Sequence, residues 1–95
     1  MKFAAIIAYS QDKAKVEAIR PAHRQYLTKL KEEGKLAIAG PFMDNYGACI
    51  VYEAETAEVA ESYLKSDPFH ANGIFLQWQI RPWNVVIANP ALLPS

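Results

Sequence analysis

At 95 residues the chain is long enough for one hydrophobic core and too short for two, so we expect a single domain over residues 1–95. Apolar residues make up 52% of the chain, and ten basic residues balance ten acidic ones. With no long run of like charge, the sequence gives no electrostatic support for binding nucleic acid or an anionic membrane.

The single cysteine, Cys49, cannot form an internal disulfide, which fits a reducing compartment and predicts a cytoplasmic protein. The apolar N-terminal segment, residues 1–9, is too short to span a membrane and is followed at once by charged residues. We therefore expect no membrane association and interpret this segment as a buried strand.

The first half of the chain predicts a strand and then a helix. Phe3 to Ala8 is an apolar run of strand length, and Asp12 is a good helix cap. From Lys13 to Glu33, apolar side chains and one histidine recur at spacings of three and four, which places them on one helix face: Val16, Ile19, His23, Tyr26, Leu27 and Leu30. Pro21 predicts a kink, or a second helix that begins at about residue 20.

The second half predicts a hairpin, a helix and a final strand. Residues 36–43 and 48–54 are strand-like and flank a turn that holds Asp, Asn and Gly. Thr56 caps a helix that runs to about Ser66. Residues 74–88 then form a long apolar strand, in which Pro82 indicates a bulge or a sheet edge, and an apolar tail occupies about 89–95.

The order strand, helix, strand, strand, helix, strand is typical of a ferredoxin-like α+β fold, βαββαβ, with both helices on one face of an antiparallel sheet. We assign alternating apolar residues of the strands to the uncovered face: Ala37, Ala39, Ile50, Tyr52, Trp78 and Ile80. An exposed sheet face this apolar would be an association site. We therefore expect a homodimer, packed sheet on sheet as a dimeric α+β barrel, or a higher homo-oligomer.

The segment from Ser66 to Gly73 predicts one capped helical turn that holds a carboxylate. Asp67 is a favoured N-cap, Pro68 suits the first helical position, and Gly73 can end the turn in a left-handed conformation. On residue type alone, Asp67 could serve only as the cap.

His23 lies on the apolar stripe of the first helix, with Arg20 one turn away. The structural interpretation is a core histidine that is hydrogen-bonded to a backbone carbonyl. The functional one is a His–Asp pair, in which a carboxylate fixes the tautomer and leaves the other ring nitrogen as a base near neutral pH. A spacing of 44 residues cannot by itself show that Asp67 meets His23.

The sequence has no zinc-type Cys/His cluster, glycine-rich phosphate loop or nucleophile elbow, so no metal or organic cofactor is predicted. The pattern Arg20-x-x-His23-x-x-Tyr26-Leu27, with Gly40-Pro41, Gly47 and Ser66-Asp67-Pro68-Phe69, resembles the YCII-related family from Phe3 to about Trp83. The resemblance implies the ferredoxin-like fold and a dimer.

The resemblance also assigns roles to residues. It implies that His23 and Asp67 form a catalytic dyad, that Pro68 orients it, and that Arg20 stabilises an anion. Asp44 matches a position that is commonly acidic in the family. Independently of the resemblance, Phe69 is a candidate aromatic surface for a ligand. This chain departs from the family pattern at Ala48, which follows Gly47. Many members have serine at this position.

The predicted function is therefore a small cofactor-independent enzyme, a dehydrochlorinase-like lyase or an isomerase, acting on a small phenolic, quinol or dicarbonyl compound. The alternative is a non-catalytic ligand-binding or accessory module with the same pocket. A third possibility is a cofactorless monooxygenase of the dimeric α+β barrel type.

Overall fold

The structure, a computed structural model, describes residues 1–94, so the last residue of the predicted tail, Ser95, lies outside it. The elements follow in this order: β1 (Lys2–Tyr9), α1 (Lys13–Glu32), β2 (Leu36–Pro41), β3 (Gly47–Glu53), α2 (Ala57–Lys65), the single-turn α3 (Pro68–Ala71), β4 (Phe75–Trp83) and a 3-10 turn (Pro90–Leu92). The strands form one antiparallel sheet in the order β2-β3-β1-β4. The predicted ferredoxin-like order is confirmed, and β4 is an edge strand, which is one of the two alternatives that Pro82 indicated.

Two predicted boundaries were wrong: a second helix that begins at about residue 20, and a final strand that reaches residue 88. Helix α1 runs without a break through Pro21, which is exposed; the proline removes only one internal hydrogen bond from a helix of 20 residues. Strand β4 ends at Trp83 rather than near residue 88, because its antiparallel partner β1 begins at Lys2, which pairs with Trp83. No strand remains beyond that point to accept further pairing.

The core lies between the helices and one face of the sheet. Alternate residues of β1 point into it, and buried side chains from every helix and from β3 and β4 complete it: Phe3, Ala5, Ile7, Val16, Leu30, Ile50, Tyr52, Ala60, Leu64, Phe69 and Phe75. The sequence-based assignment of Tyr52, Ile50 and Trp78 to the uncovered face was therefore wrong. Tyr52 is 0% exposed, and Trp78 and Ile80 pack against the same core. Period-two alternation identifies two faces but does not say which of them receives the helices.

The face opposite the helices has a mixed surface. By register it carries Ile6, Ile38 and Trp83, which are exposed, together with glutamines of the edge strand. Within residues 1–94, no helix is both long and apolar enough to cross a lipid bilayer.

A groove lies between α1 and the edge strand β2. Strand β2 carries small residues at this place, including Ala37, Ala39 and Gly40, and all three are exposed. Because these side chains fill little space, the helix-side surface of β2 stays open next to α1. The groove positions the candidate site.

Candidate functional site

His23 of α1 and Asp67 of the loop before α3 are in direct contact inside the protein. The His23 Nδ1 atom lies 2.8 Å from both Oδ1 and Oδ2 of Asp67. His23 is 6% exposed and Asp67 is 0% exposed. The hydrogen bond predicted between these residues is therefore present, and the two are called the buried pair below.

The carboxylate determines which ring nitrogen is available for chemistry. An ionised carboxylate only accepts hydrogen bonds, so Nδ1 donates and the neutral ring keeps its lone pair on Nε2. Within residues 1–94, the His23 ring makes no other hydrogen bond. Nε2 is thus the nitrogen that can accept a proton from a ligand.

Aromatic rings hold the imidazole in one orientation. Phe69 stacks on His23 with the ring centroids 3.9 Å apart and the planes 5° from parallel. Phe75 meets the imidazole edge to face at 6.2 Å, and Tyr9 contacts the Phe69 ring edge to face at 5.3 Å. Because the ring is held by Asp67 on one edge and by Phe69 on one face, it cannot turn freely.

The short helix α3 explains how Asp67 is held. Asp67 is its N-cap, with extended backbone angles and with Oδ1 accepting from the Phe69 backbone N–H at 2.8 Å. Pro68 at the first helical position disfavours a helical conformation for the residue before it, so it favours that extended geometry. Gly73 ends the segment at φ 71°, in the left-handed region expected from the sequence.

The negative charge of Asp67 contributes to raised pKa values of three tyrosines. Burial, with a further contribution from the Asp67 carboxylate, raises the pKa of Tyr26 to about 12. The same two causes, in the same order, raise the pKa values of Tyr9 and Tyr52 well above the usual value for tyrosine. Like any tyrosine at neutral pH, all three are protonated and can donate hydrogen bonds. Tyr26 already donates to the Tyr63 carbonyl at 2.6 Å.

The groove reaches the His23 ring of the buried pair, while Asp67 stays behind it. Its volume is about 450 Å³, and His23 and Phe69 line it beside Tyr9. Helix α1 contributes one wall, and β2 and β3 contribute the opposite side with these residues: Leu36, Ala37, Ile38, Ala39, Gly40, Pro41, Ala48 and Ile50. The space has the size of a site for a small organic molecule.

The structure places most of the predicted site residues around this groove. Arg20 is half-buried and lines it, and Phe69 is both lining residue and stacking partner. Pro68 supports Asp67 from within α3. Asp44 does not line the groove; it lies in the exposed β2–β3 turn, where its Oδ1 accepts from the Tyr46 backbone N–H at 3.0 Å.

Sequence reasoning missed several lining residues. Tyr9 gave no signal, because it stands at the end of an apolar strand and has no motif around it. Arg24, Thr28 and Lys31 are exposed and also line the groove. Their spacing from Arg20 along one side of α1 was the signal that could have found them.

Within residues 1–94, no group of three or more His, Cys, Asp or Glu side chains is placed to hold a metal ion.

Comparison with known proteins gives a family and a fold. The model of the YCII-related domain matches residues 1–84. Protein YciI of Escherichia coli O6:H1 is 32% identical over 94 residues, which covers 84% of this chain and 96% of that protein. The uncharacterized protein YjpA of Bacillus subtilis (strain 168) is 37% identical over 51 residues, which covers 54% of this chain and 60% of YjpA.

Among solved structures, the chain resembles 5-chloro-2-hydroxyhydroquinone dehydrochlorinase (TftG) from Burkholderia phenoliruptrix AC1100, in complex with 2,5-dihydroxybenzoquinone. The TM-score is 0.76 at 24% identity, and the match covers 88% of this chain and 94% of the other. At this identity the likeness shows a common fold.

Proposed function

Because this chain belongs to the YCII-related family, we propose that it is a small cofactor-independent enzyme that uses the buried pair for acid/base chemistry. The observation that carries the proposal is the position of His23. Its Nδ1 lies 2.8 Å from the Asp67 carboxylate, and the same ring lines a groove of about 450 Å³. A buried, oriented imidazole at the wall of a ligand-sized space is the arrangement that general base catalysis requires.

The proposed reaction begins when Nε2 of His23 takes a proton from a phenolic hydroxyl or from a carbon next to a carbonyl. Asp67 stabilises the imidazolium that forms, and Arg20 stabilises the negative charge left on the substrate oxygen. In an elimination, the electron pair left on the α-carbon forms a double bond to the neighbouring carbon and expels a leaving group from it. In an isomerisation, the imidazolium returns the proton to a different carbon.

The proposed substrates are small phenols, quinols or dicarbonyl compounds. The apolar wall of the groove suits a flat ring, since its β2 part is built from small side chains such as Ala37 and Ala39. The neighbour of like fold, TftG, is a dehydrochlorinase found in complex with a dihydroxybenzoquinone. That ligand supports the choice of compound class.

Deuterium uptake tests the proposal without knowledge of the final product. A panel of small 1,2- and 1,3-dicarbonyl compounds is incubated with the protein in D₂O, and exchange at the α-carbon is followed by NMR. We expect protein-dependent exchange that is lost in His23→Gln and retained in His70→Gln, which changes the histidine outside the groove. Equal exchange by the wild type and His23→Gln across the panel would refute catalysis by this histidine.

Ala48 supports the alternative of a ligand-binding module. It lines the groove and is 2% exposed, so the wall carries a methyl group where many family members have a hydroxyl. If that hydroxyl positions substrate in relatives, this chain binds ligand with one fewer anchor. Saturable binding without His23-dependent exchange would favour the module, and Ala48→Ser would then be the variant in which to look for gained exchange.

The proposal includes a homodimer through the sheet face opposite the helices. Ile6, Ile38 and Trp83 on this face are 37%, 40% and 49% exposed. Four strands spaced about 4.8 Å apart form a sheet face of roughly 500 Å² in each copy. Two copies would therefore bury roughly 1,000 Å² in total, the lower limit for a specific interface. Analytical ultracentrifugation at micromolar concentration should give a dimer for the wild type and a monomer for Ile6→Asp with Trp83→Asp. A monomeric wild type would contradict the proposal.

A further inference from the structure

Positive side chains follow the α1 wall of the groove. Arg20, Arg24 and Lys31 all line it, and Thr28 lies between the second and the third. At 1.5 Å per residue, the row extends roughly 16 Å along the helix. His23 lies near one end of the row and Lys31 at the other, so the positive charge continues well beyond the proposed reacting centre.

These cations have no acidic partner in the described part of the chain. No Asp or Glu lines the groove, and Arg20, Arg24 and Lys31 form no ion pair within residues 1–94. Asp67 contributes one negative charge behind the imidazole, but it already accepts hydrogen bonds from His23 and from the Phe69 backbone. The formal net charge of the chain is zero, so the positive excess is local to this groove.

The opposite side of the groove supplies an apolar surface. The small residues Ala37, Ala39 and Gly40 form the β2 part of that surface, and Ala48 and Ile50 continue it in β3. A molecule that fits both sides has a flat apolar body and a negative group on the edge that faces α1. A neutral molecule would make no ion pair with the three cations.

We infer that the groove binds an aromatic or other flat organic carboxylate, with its reacting end at His23 and its carboxylate at Arg24, Thr28 and Lys31. The assignment of the reacting end rests on the proposed function; the carboxylate site rests on the groove alone. Tyr9 also lines the groove, and its ring contacts Phe69, which stacks on His23. An arginine fork and a lysine match a carboxylate in geometry and charge.

The position along α1 favours a carboxylate over a phosphate. Lys31 is in the last turn of the helix, where the backbone presents carbonyl groups and the negative end of the helix dipole. Phosphate sites commonly use helix N-termini, with their free N–H groups. A singly charged carboxylate needs only the side chains that are present.

Matched ligands test the inference by calorimetry or NMR titration. We compare 2,5-dihydroxybenzoate, 2,5-dihydroxybenzamide and hydroquinone, which share a ring and differ in the charged group. The acid should bind about 10-fold tighter than the amide, and raising the salt from about 0.05 M to about 0.5 M should reduce that advantage. Equal affinity for acid and amide would overturn the inference.

Variants locate the carboxylate. Lys31→Gln and Arg24→Gln should each weaken binding of the acid about 5-fold and leave binding of the amide unchanged. The control is Lys29→Gln, on the same helix but outside the groove, which should bind the acid like the wild type. If Lys31→Gln and Lys29→Gln behaved alike, the carboxylate site would be wrong. Tighter binding of phenyl phosphate than of benzoate would overturn the choice of carboxylate.

The outcome is separable from that of the proposed function. A preference for the acid that persists in His23→Gln, with no His23-dependent deuterium exchange, would reject catalysis and keep the carboxylate site. His23-dependent exchange without any preference for the acid would reject the carboxylate site and keep the catalytic proposal.

Discussion

Replacing Asp67 with asparagine tests the buried pair with the smallest change of shape. In the wild type, Oδ1 accepts from the Phe69 backbone N–H at 2.8 Å, and both carboxylate oxygens lie 2.8 Å from Nδ1 of His23. Asparagine keeps Oδ1 and therefore the helix cap, because Asn and Asp cap about equally well. Its Nδ2, however, places a donor where the wild type has an acceptor. The Nδ1–H of His23 would then meet an N–H group at one of its two contacts and would keep only Oδ1, shared with the Phe69 backbone N–H, as an acceptor.

The imidazole can relieve this conflict by carrying its proton on Nε2. The asparagine amide then donates to Nδ1, and a charge-assisted hydrogen bond of roughly 1.5–3 kcal/mol is replaced by a neutral one of roughly 1 kcal/mol. We expect Asp67→Asn to lower the free energy of unfolding by about 1–2 kcal/mol. Because a protonated Nε2 cannot act as a base, deuterium exchange should fall by about 100-fold or more.

The assay combines ¹⁵N NMR of the imidazole rings with denaturant unfolding. The protein has two histidines, so the spectrum is simple, and His70, whose ring lies 5.5 Å from that of Trp78, serves as an internal reference. In Asp67→Asn, the His23 nitrogens should report the opposite tautomer while those of His70 do not change. An unchanged His23 tautomer with wild-type stability would mean that Asp67 only caps α3, and the dyad would be rejected.

A double-mutant cycle measures the coupling directly. His23→Ala leaves the buried Asp67 carboxylate without its partner, and we expect it to cost about 3–5 kcal/mol. Adding Asp67→Asn removes that uncompensated charge, so the double variant should be more stable than the sum of the single changes predicts. Loss of exchange should likewise be non-additive, since either change disables the same base. Additive effects on stability and exchange would show two independent residues.

Three further predictions follow from the fold and the site. Pro68→Ala should fold normally, since alanine suits the first helical position. It should weaken the His23-dependent exchange, because the backbone of Asp67 is no longer restricted by a following proline. Exchange at the wild-type rate would show that Pro68 does not orient Asp67. Gly47→Ala should abolish folding or cost several kcal/mol, since the new Cβ would overlap the Ile7 carbonyl. Gly40→Ala should be well tolerated, because no atom lies within 4 Å of the position of its Cβ. Similar melting temperatures for the two variants would contradict the register of β1 and β3. Burial raises the pKa of Tyr26 from 10.0 to about 12, so between these pH values the folded state keeps a proton that the unfolded chain releases. The free energy of unfolding should therefore be unaffected below about pH 10 and should fall as the pH rises to about 12. Urea titrations should show a smaller fall for Tyr26→Phe.

Local sequence patterns determined most of the fold. Helix spacing placed His23 on the inner face of α1, and cap chemistry predicted the turn from Asp67 to Gly73. These features depend on residues within a few positions of one another, so propensity and periodicity are enough to find them. Family resemblance then paired His23 with Asp67, and the contact is present at 2.8 Å.

Tertiary structure decided the features that depend on distant segments. Which sheet face receives the helices, and hence the burial of Tyr52 and Trp78, follows from how the whole chain packs and not from alternation within one strand. The groove exists because α1 runs beside an edge strand of small residues, and only that juxtaposition brings Tyr9 of β1 and Lys31 of α1 to one surface. A charge on the outer side of a helix and a charge that lines a groove have the same sequence pattern; the neighbouring strand makes the difference.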